Sequence, residues 1–173
     1  MKRLSGRLLI LVCTFLFTTA SQPVAAQGGA ARDITILYTN DFHSAFDPIP
    51  AYWLKGEPRL GGAAQLAALI NEYRGREKTS FLFDSGDMFT GQLSFLTRGE
   101  ALMEMMISMR YDAMAIGNHE FDYGSANFEK QMSLAPFPVL GANIYYKGTN
   151  HRYSRPYAVI ERGTKSAWRA GKG

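Results

Sequence analysis

The chain has 173 residues, 46% of them apolar and 20% charged, the balance of a globular protein and not of a disordered or fibrous one. Its formal charge of +4 is mostly local: three of the 19 basic residues and none of the 15 acidic ones lie in the first 26 positions, leaving +1 for the remainder. No basic stripe with interleaved aromatics is left to serve nucleic acid, and the single cysteine, Cys13, sits in that same first segment, which excludes disulfides, thiolate zinc sites and cysteine nucleophiles downstream.

Lys2, Arg3 and Arg7 precede an apolar run from Leu8 to Phe17, and Val24-Ala25-Ala26 offers the small residues of a cleavage site. Residues 1–26 therefore read as a secretory signal peptide cleaved near Ala26. Thr18, Thr19, Ser21, Gln22 and Pro23 interrupt the run. A spanning helix needs about 20 apolar residues, so no stable membrane anchor is expected after cleavage. An exported product without cysteine suits a periplasm or the exterior of a bacterium. Residues 27–32 read as a flexible leader, and the rest suffices for one domain.

Ile34 to Thr39 is a compact β-branched and apolar run, a buried strand. A long loop with Pro48, Pro50 and Pro58 follows to about Leu60. Gly61-Gly62 opens a helix in which Ala63, Leu66, Ala67, Ile70 and Tyr73 recur at helical spacing, ended by Gly75. Thr79 to Asp84 is a second strand. Gly99 to Met109 is a second helix, whose methionines at 103, 105, 106 and 109 are core packing. Strands over Asp112–Ile116, Pro138–Ile144 and Tyr157–Glu161, with a short helix over Ala126–Leu134, complete the pattern. Strands alternating with helices imply βαβ crossovers and an α/β fold with a mainly parallel sheet. Continuously apolar strands suggest a sheet covered on both faces, and polar residues gather where its strands end, the edge at which such sheets place their function.

Three polar clusters occupy those ends. Asp41-Phe42-His43 follows the first strand; in an extended segment residues two apart face the same side, so a carboxylate and an imidazole can meet at one point while Phe42 turns inward. Oxygen with imidazole suits a borderline cation such as zinc or manganese; the plain alternative is a polar turn. Asp84-Ser85-Gly86-Asp87 follows the second strand. A carboxylate there can bridge two cations about 3.5–4 Å apart, with Asp87 placed by the turn at Gly86 and Asp84 competing, the latter better explained as a hydrogen-bonding residue at the strand end. Asn118-His119-Glu120-Phe121-Asp122 follows the third strand. Asn118 offers a neutral amide oxygen, and Asp122 comes within reach of His119 if the segment turns helically. A helix N-cap with Glu120 in its first turn is the alternative. His151, in the polar stretch 147–152, reads as a solvated loop residue.

Taken together, Thr39-Asn-Asp-Phe-His43, Ser85-Gly-Asp87 and Gly117-Asn-His-Glu-Phe-Asp122 resemble the signature of the 5′-nucleotidase family of calcineurin-like metallophosphoesterases, a family that includes UDP-sugar hydrolases and 2′,3′-cyclic-nucleotide phosphodiesterases. The resemblance covers residues 33–162 as the N-terminal part of a metallophosphoesterase domain, and implies a metallophosphoesterase sandwich. It implies that Asp41 and His43 are ligands of a first metal, Asp87 a bridging ligand, Asn118 a ligand of a second metal, and His119 and Asp122 the catalytic pair. Arg59-Leu-Gly-Gly62 resembles the turn that starts the family's first helix. The implied cofactors are two divalent ions, Mn2+, Zn2+ or similar, and the implied substrate is a nucleotide or another phosphoester; no substrate-binding residue is identified.

The resemblance also implies further histidine ligands from later strands and a C-terminal base-binding domain, neither supplied after Asp122. Residues 163–173 are polar and basic without period, an aberrant tail. Written in GC-rich codons and read from the third base, they yield the Val-Gly-Val expected after Tyr157–Glu161, which motivates reading the tail as frameshifted or truncated. The leading expectation is a secreted phosphoesterase acting through metal-activated water; the alternatives are a catalytically incompetent fragment of it, a sibling activity, and a periplasmic ligand-binding module.

Overall fold

The computed structural model describes residues 33–77, 79–162 and 169–170. The expected signal peptide, leader and most of the aberrant tail lie outside the described residues. In chain order the elements are β1 (Thr35–Thr39), β2 (Ile49–Pro50), β3 (Arg59–Leu60), α1 (Ala63–Arg76), β4 (Ser80–Asp84), α2 (Gln92–Thr97), α3 (Glu100–Ser108), β5 (Ala113–Ala115), a 3-10 turn (His119–Phe121), α4 (Ser125–Leu134), β6 (Val139–Leu140), β7 (Ile160–Glu161) and β8 (Arg169–Ala170). No described helix is long and apolar enough to cross a membrane.

β1, β4, β5 and β6 form one parallel sheet in that order. Thr39 stands opposite Asp84, and Asp84 opposite Met114. The carboxyl ends of three neighbouring strands are thus level, and the three polar clusters leave from one edge of the sheet.

Among the described residues, the expectation of cover on both faces is overturned by topology. Each crossover steps to the next strand in the same direction, and right-handed crossovers then lay every connecting helix on the same face; helices on both faces would need the strand order to reverse. On the helix side Leu37, Leu82, Met114 and Val139 pack with Ile70, Leu102, Met103, Met106 and Phe128. Met103, Met105, Met106 and Met109 are all buried, as expected of core residues. Each such side chain removed from water contributes about 1.5–3 kcal/mol. On the other side Ile36 and Tyr38 are 59% and 72% exposed. Beside them the half-buried rings of Phe81 and Phe83 stack at 5.8 Å, and the Arg162 guanidinium lies 5.2 Å from the Phe81 ring centre.

Other boundaries also shift. The expected loop from Asn40 to Leu60 contains the antiparallel β2–β3 hairpin. α1 runs through Gly75 to Arg76, and α3 is preceded by the separate short helix α2. The strand expected over Pro138–Ile144 is only Val139–Leu140, because a turn begins at Gly141, where the Gly141 N–H is drawn to the Arg155 carbonyl at 2.9 Å. The strand expected over Tyr157–Glu161 shrinks to Ile160–Glu161 and pairs antiparallel with β8, outside the main sheet.

Candidate functional site

The loop after β1 is held by backbone bonds to the loop after β4. Asp41 N–H donates to the Gly86 carbonyl at 3.0 Å, His43 N–H to the Asp87 carbonyl at 3.4 Å, and Ser85 N–H to the Thr39 carbonyl at 2.9 Å. Asp41, His43 and Ser44 take φ of 50, 48 and 58°, a left-handed coil that Asp and His tolerate better than most residues. The extended geometry expected for Asp41-Phe42-His43 is therefore corrected. The two side chains meet because the chain curls, bringing Asp41 Oδ1 to 3.6 Å from His43 Nε2, and Phe42 still packs against the core. The Ser44 hydroxyl accepts the Ser94 N–H at 3.0 Å and donates to the Thr90 carbonyl, tying the loop to the start of α2.

In the loop after β4, Asp84 is almost fully buried. It accepts the Thr39 hydroxyl at 2.6 Å and the Gly86 N–H at 2.8 Å, the strand-end role expected for it. Burial pushes its carboxyl up to about 6. The Thr39 hydroxyl also lies 2.8 Å from the Tyr111 hydroxyl, which burial pushes up to about 12. Gly86 has φ of +103°, and a Cβ there would lie 2.5 Å from the Gly117 nitrogen. The chain consequently passes close under the third loop and presents Asp87 to it.

The third loop turns as anticipated. His119–Phe121 is one turn of 3-10 helix, and its three-residue rise brings Asp122 Oδ2 to 2.9 Å from His119 Nδ1. That hydrogen bond is the main reason the His119 pKa is raised above the ordinary histidine value. The His119 N–H donates to Asp87 Oδ1 at 3.0 Å. Asn118 occupies the cap position but makes no side-chain cap, and it is exposed at the mouth of the turn.

One nitrogen or oxygen each from His43, Asp87 and His119 lies within 4.8 Å of the other two, and the imidazole centres are 5.0 Å apart. The grouping joins His119 to the expected ligands His43 and Asp87, with Asp41 bordering it through His43. The imidazole of His43 and the carboxylate of Asp87 at this spacing fit a borderline divalent cation, which draws nitrogen and oxygen donors to about 2.0–2.2 Å, while His119, its Nδ1 taken by Asp122, borders the same point. His151 is exposed, as expected.

The sequence alone does not single out Glu120. It is fully buried, and its oxygens accept backbone N–H groups from Asp87 at 3.1 Å, Met88 at 2.8 Å and Gly117 at 2.7 Å. The only signal in the sequence is positional: a turn that puts His119 and Asp122 on one side sends the residue between them elsewhere.

Residues 34–163 match the family described as Calcineurin-like phosphoesterase. The chain is 36% identical over 169 residues to a snake venom 5′-nucleotidase from Crotalus adamanteus, covering 93% of this chain and 28% of the relative. It is 36% identical over 162 residues to Protein UshA of Escherichia coli strain K12, covering 91% and 28%. Among solved structures, a 5′-nucleotidase precursor from Thermus thermophilus superposes with a TM-score of 0.65 at 34% identity, over 74% of this chain and 26% of that one. The chain thus spans little more than a quarter of the length of the relatives it matches.

Proposed function

The chain belongs to the calcineurin-like phosphoesterase family, and from that premise we propose that it carries the metal-binding and acid–base part of a secreted dinuclear-metal phosphoesterase that releases phosphate from nucleotides. The observation that carries the reading is the Asp122–His119 contact at 2.9 Å beside the grouping of His43, Asp87 and His119. Asp41 and His43 are assigned to one cation, Asp87 to the bridge, and Asn118, through its amide oxygen, to a second. When bound, such cations would supply Lewis acidity at the phosphoryl oxygens and acidify a water nucleophile.

The chain's own residues supply the rest. Asp122 occupies Nδ1 of His119, which fixes the imidazole and leaves Nε2 free to meet a phosphoryl or leaving-group oxygen. The raised His119 pKa favours the protonated ring, so His119 can stabilise charge on that oxygen or hand it a proton. The names of the relatives support a nucleotide substrate, and the reading of residues 1–26 supports export.

The test is phosphate release from AMP with Mn2+ or Zn2+, compared with the same assay in chelator and with His119→Ala. Metal-dependent release, lowered about 10²–10³-fold by the substitution, is the expected result; release indifferent to chelator would refute the reading. N-terminal sequencing of the exported product should begin near Gln27.

A further inference from the structure

We propose that Glu120 is the positioning residue of this site: its buried carboxylate staples the loop after β4 to the loop after β5 and so sets the distance between Asp87 and the Asn118–His119 turn. The inference rests on the metal-centre reading and adds to it a residue that touches neither cation nor substrate.

Glu120 is 0% exposed, and among the described residues no lysine, arginine or histidine pairs with it. A charged carboxylate is rarely buried without partners. Here the partners are three backbone N–H groups, on Asp87, Met88 and Gly117. Two belong to one loop and one to the other, so the carboxylate spans the junction between them. Converging amide donors satisfy the carboxylate oxygens that no cationic side chain reaches.

The staple closes a ring. Glu120 holds the Asp87 N–H, Asp87 Oδ1 in turn accepts the His119 N–H at 3.0 Å, and His119 is covalently next to Glu120. Asp87 sits at φ +60°, an unfavourable conformation for a residue with a Cβ, and the bond to its N–H helps retain it there. Among the described residues no other side chain bonds backbone groups of both these loops, so the spacing of the ligands depends on this carboxylate.

Glu120→Gln tests the idea, because it keeps the size of the side chain but replaces one acceptor oxygen with an NH2 that faces an N–H donor. The measurements are Mn2+ affinity by titration calorimetry and amide hydrogen exchange on the full chain. The expected result is a 10–100-fold loss of Mn2+ affinity, the usual scale for a residue that orients metal ligands. Exchange should accelerate at Asp87, Met88 and Gly117 beyond any change at the sheet amides of Leu82 and Met114. Unchanged affinity, or acceleration equal at all five amides, would overturn the proposal, the latter marking a merely global loss of stability. If Glu120→Gln does not fold, Glu120→Asp keeps the charge while shortening the reach, and must show the same selective loss of protection. If the unsubstituted chain binds no Mn2+, the metal-centre reading fails, and selective exchange alone decides whether Glu120 is the staple.

Discussion

Gly117 carries a hydrogen where a Cβ would lie 2.2 Å from Asp87 Oδ1 and 2.6 Å from the Asp87 nitrogen. Gly117→Ala must therefore push the Asp87 carboxylate away from His43 and His119, and Mn2+ affinity should fall at least about tenfold, the scale seen when ligand orientation is lost; titration calorimetry showing equal affinity would contradict this. Asp84 makes a prediction in pH. Its carboxyl, ordinarily near 3.8, is pushed up to about 6 by burial. An acid with a raised folded pKa holds its proton more tightly folded than unfolded, so its contribution to stability is present at low pH and is lost as pH rises from about 4 through 6. At about 1.36 kcal/mol per unit the loss is at most roughly 3 kcal/mol. Asp84→Asn removes it, so melting curves in chelator should show the variant gaining on the unsubstituted chain between pH 4 and pH 7, whereas parallel curves would show that Asp84 does not titrate there. At this scale the candidates that the structure brings together, His43, Asp87, His119 and Asp122 with Asp41 beside His43, were legible because they are residue types whose chemistry is local; for the Asn118 side chain the structure shows no such contact. Glu120 was not legible, because its role depends on three amides from segments that only the fold brings together.

At the scale of elements, the 3-10 turn is held from behind by α4. Phe128 is fully buried, with Phe121 of the turn at 5.6 Å, Phe89 at 5.6 Å and the Tyr153 ring stacked at 6.3 Å. Phe128→Ala should cost about 3–5 kcal/mol of stability, read by denaturant unfolding. The loss should also reach the site, because Phe121 is flanked by the segment carrying His119 and Asp122; a variant destabilised by less than about 1 kcal/mol would mean that the cluster repacks. Elements with a strong period were legible in the sequence, as α1, α3 and α4 were. Those held by something other than period were not. α2 spans six residues and leaves Phe95 and Leu96 exposed, so it has no apolar face for a pattern to reveal. The β2–β3 hairpin has two residues in each strand and is braced by the Arg59 guanidinium on the Pro48 carbonyl, a contact that crosses eleven positions.

At the scale of the molecule, strand order decides what the sheet leaves uncovered, and strand order is not written in any one strand. β1 and β4 read as runs buried on both sides, yet the register that sets Leu37 against Leu82 under the helices sets Ile36 against Phe81 and Tyr38 against Phe83 on the other face. That face is apolar, and β1 is the edge strand of its sheet among the described residues, a combination that favours pairing with another chain. The purified chain should accordingly bind a hydrophobic dye and scatter more light per molecule as its concentration rises. Replacing Ile36 and Tyr38 together by lysine places two charges on exposed positions of the edge. The helix-side core is untouched, and strand preference itself spans only about 1 kcal/mol. The double variant should therefore lose most of the dye binding and sediment as a monomer, with its unfolding midpoint shifted by no more than a few degrees. A variant that still self-associates would place the sticky surface elsewhere, with Tyr52 and Trp53 of the β2–β3 connection, 74% and 69% exposed, the next to test.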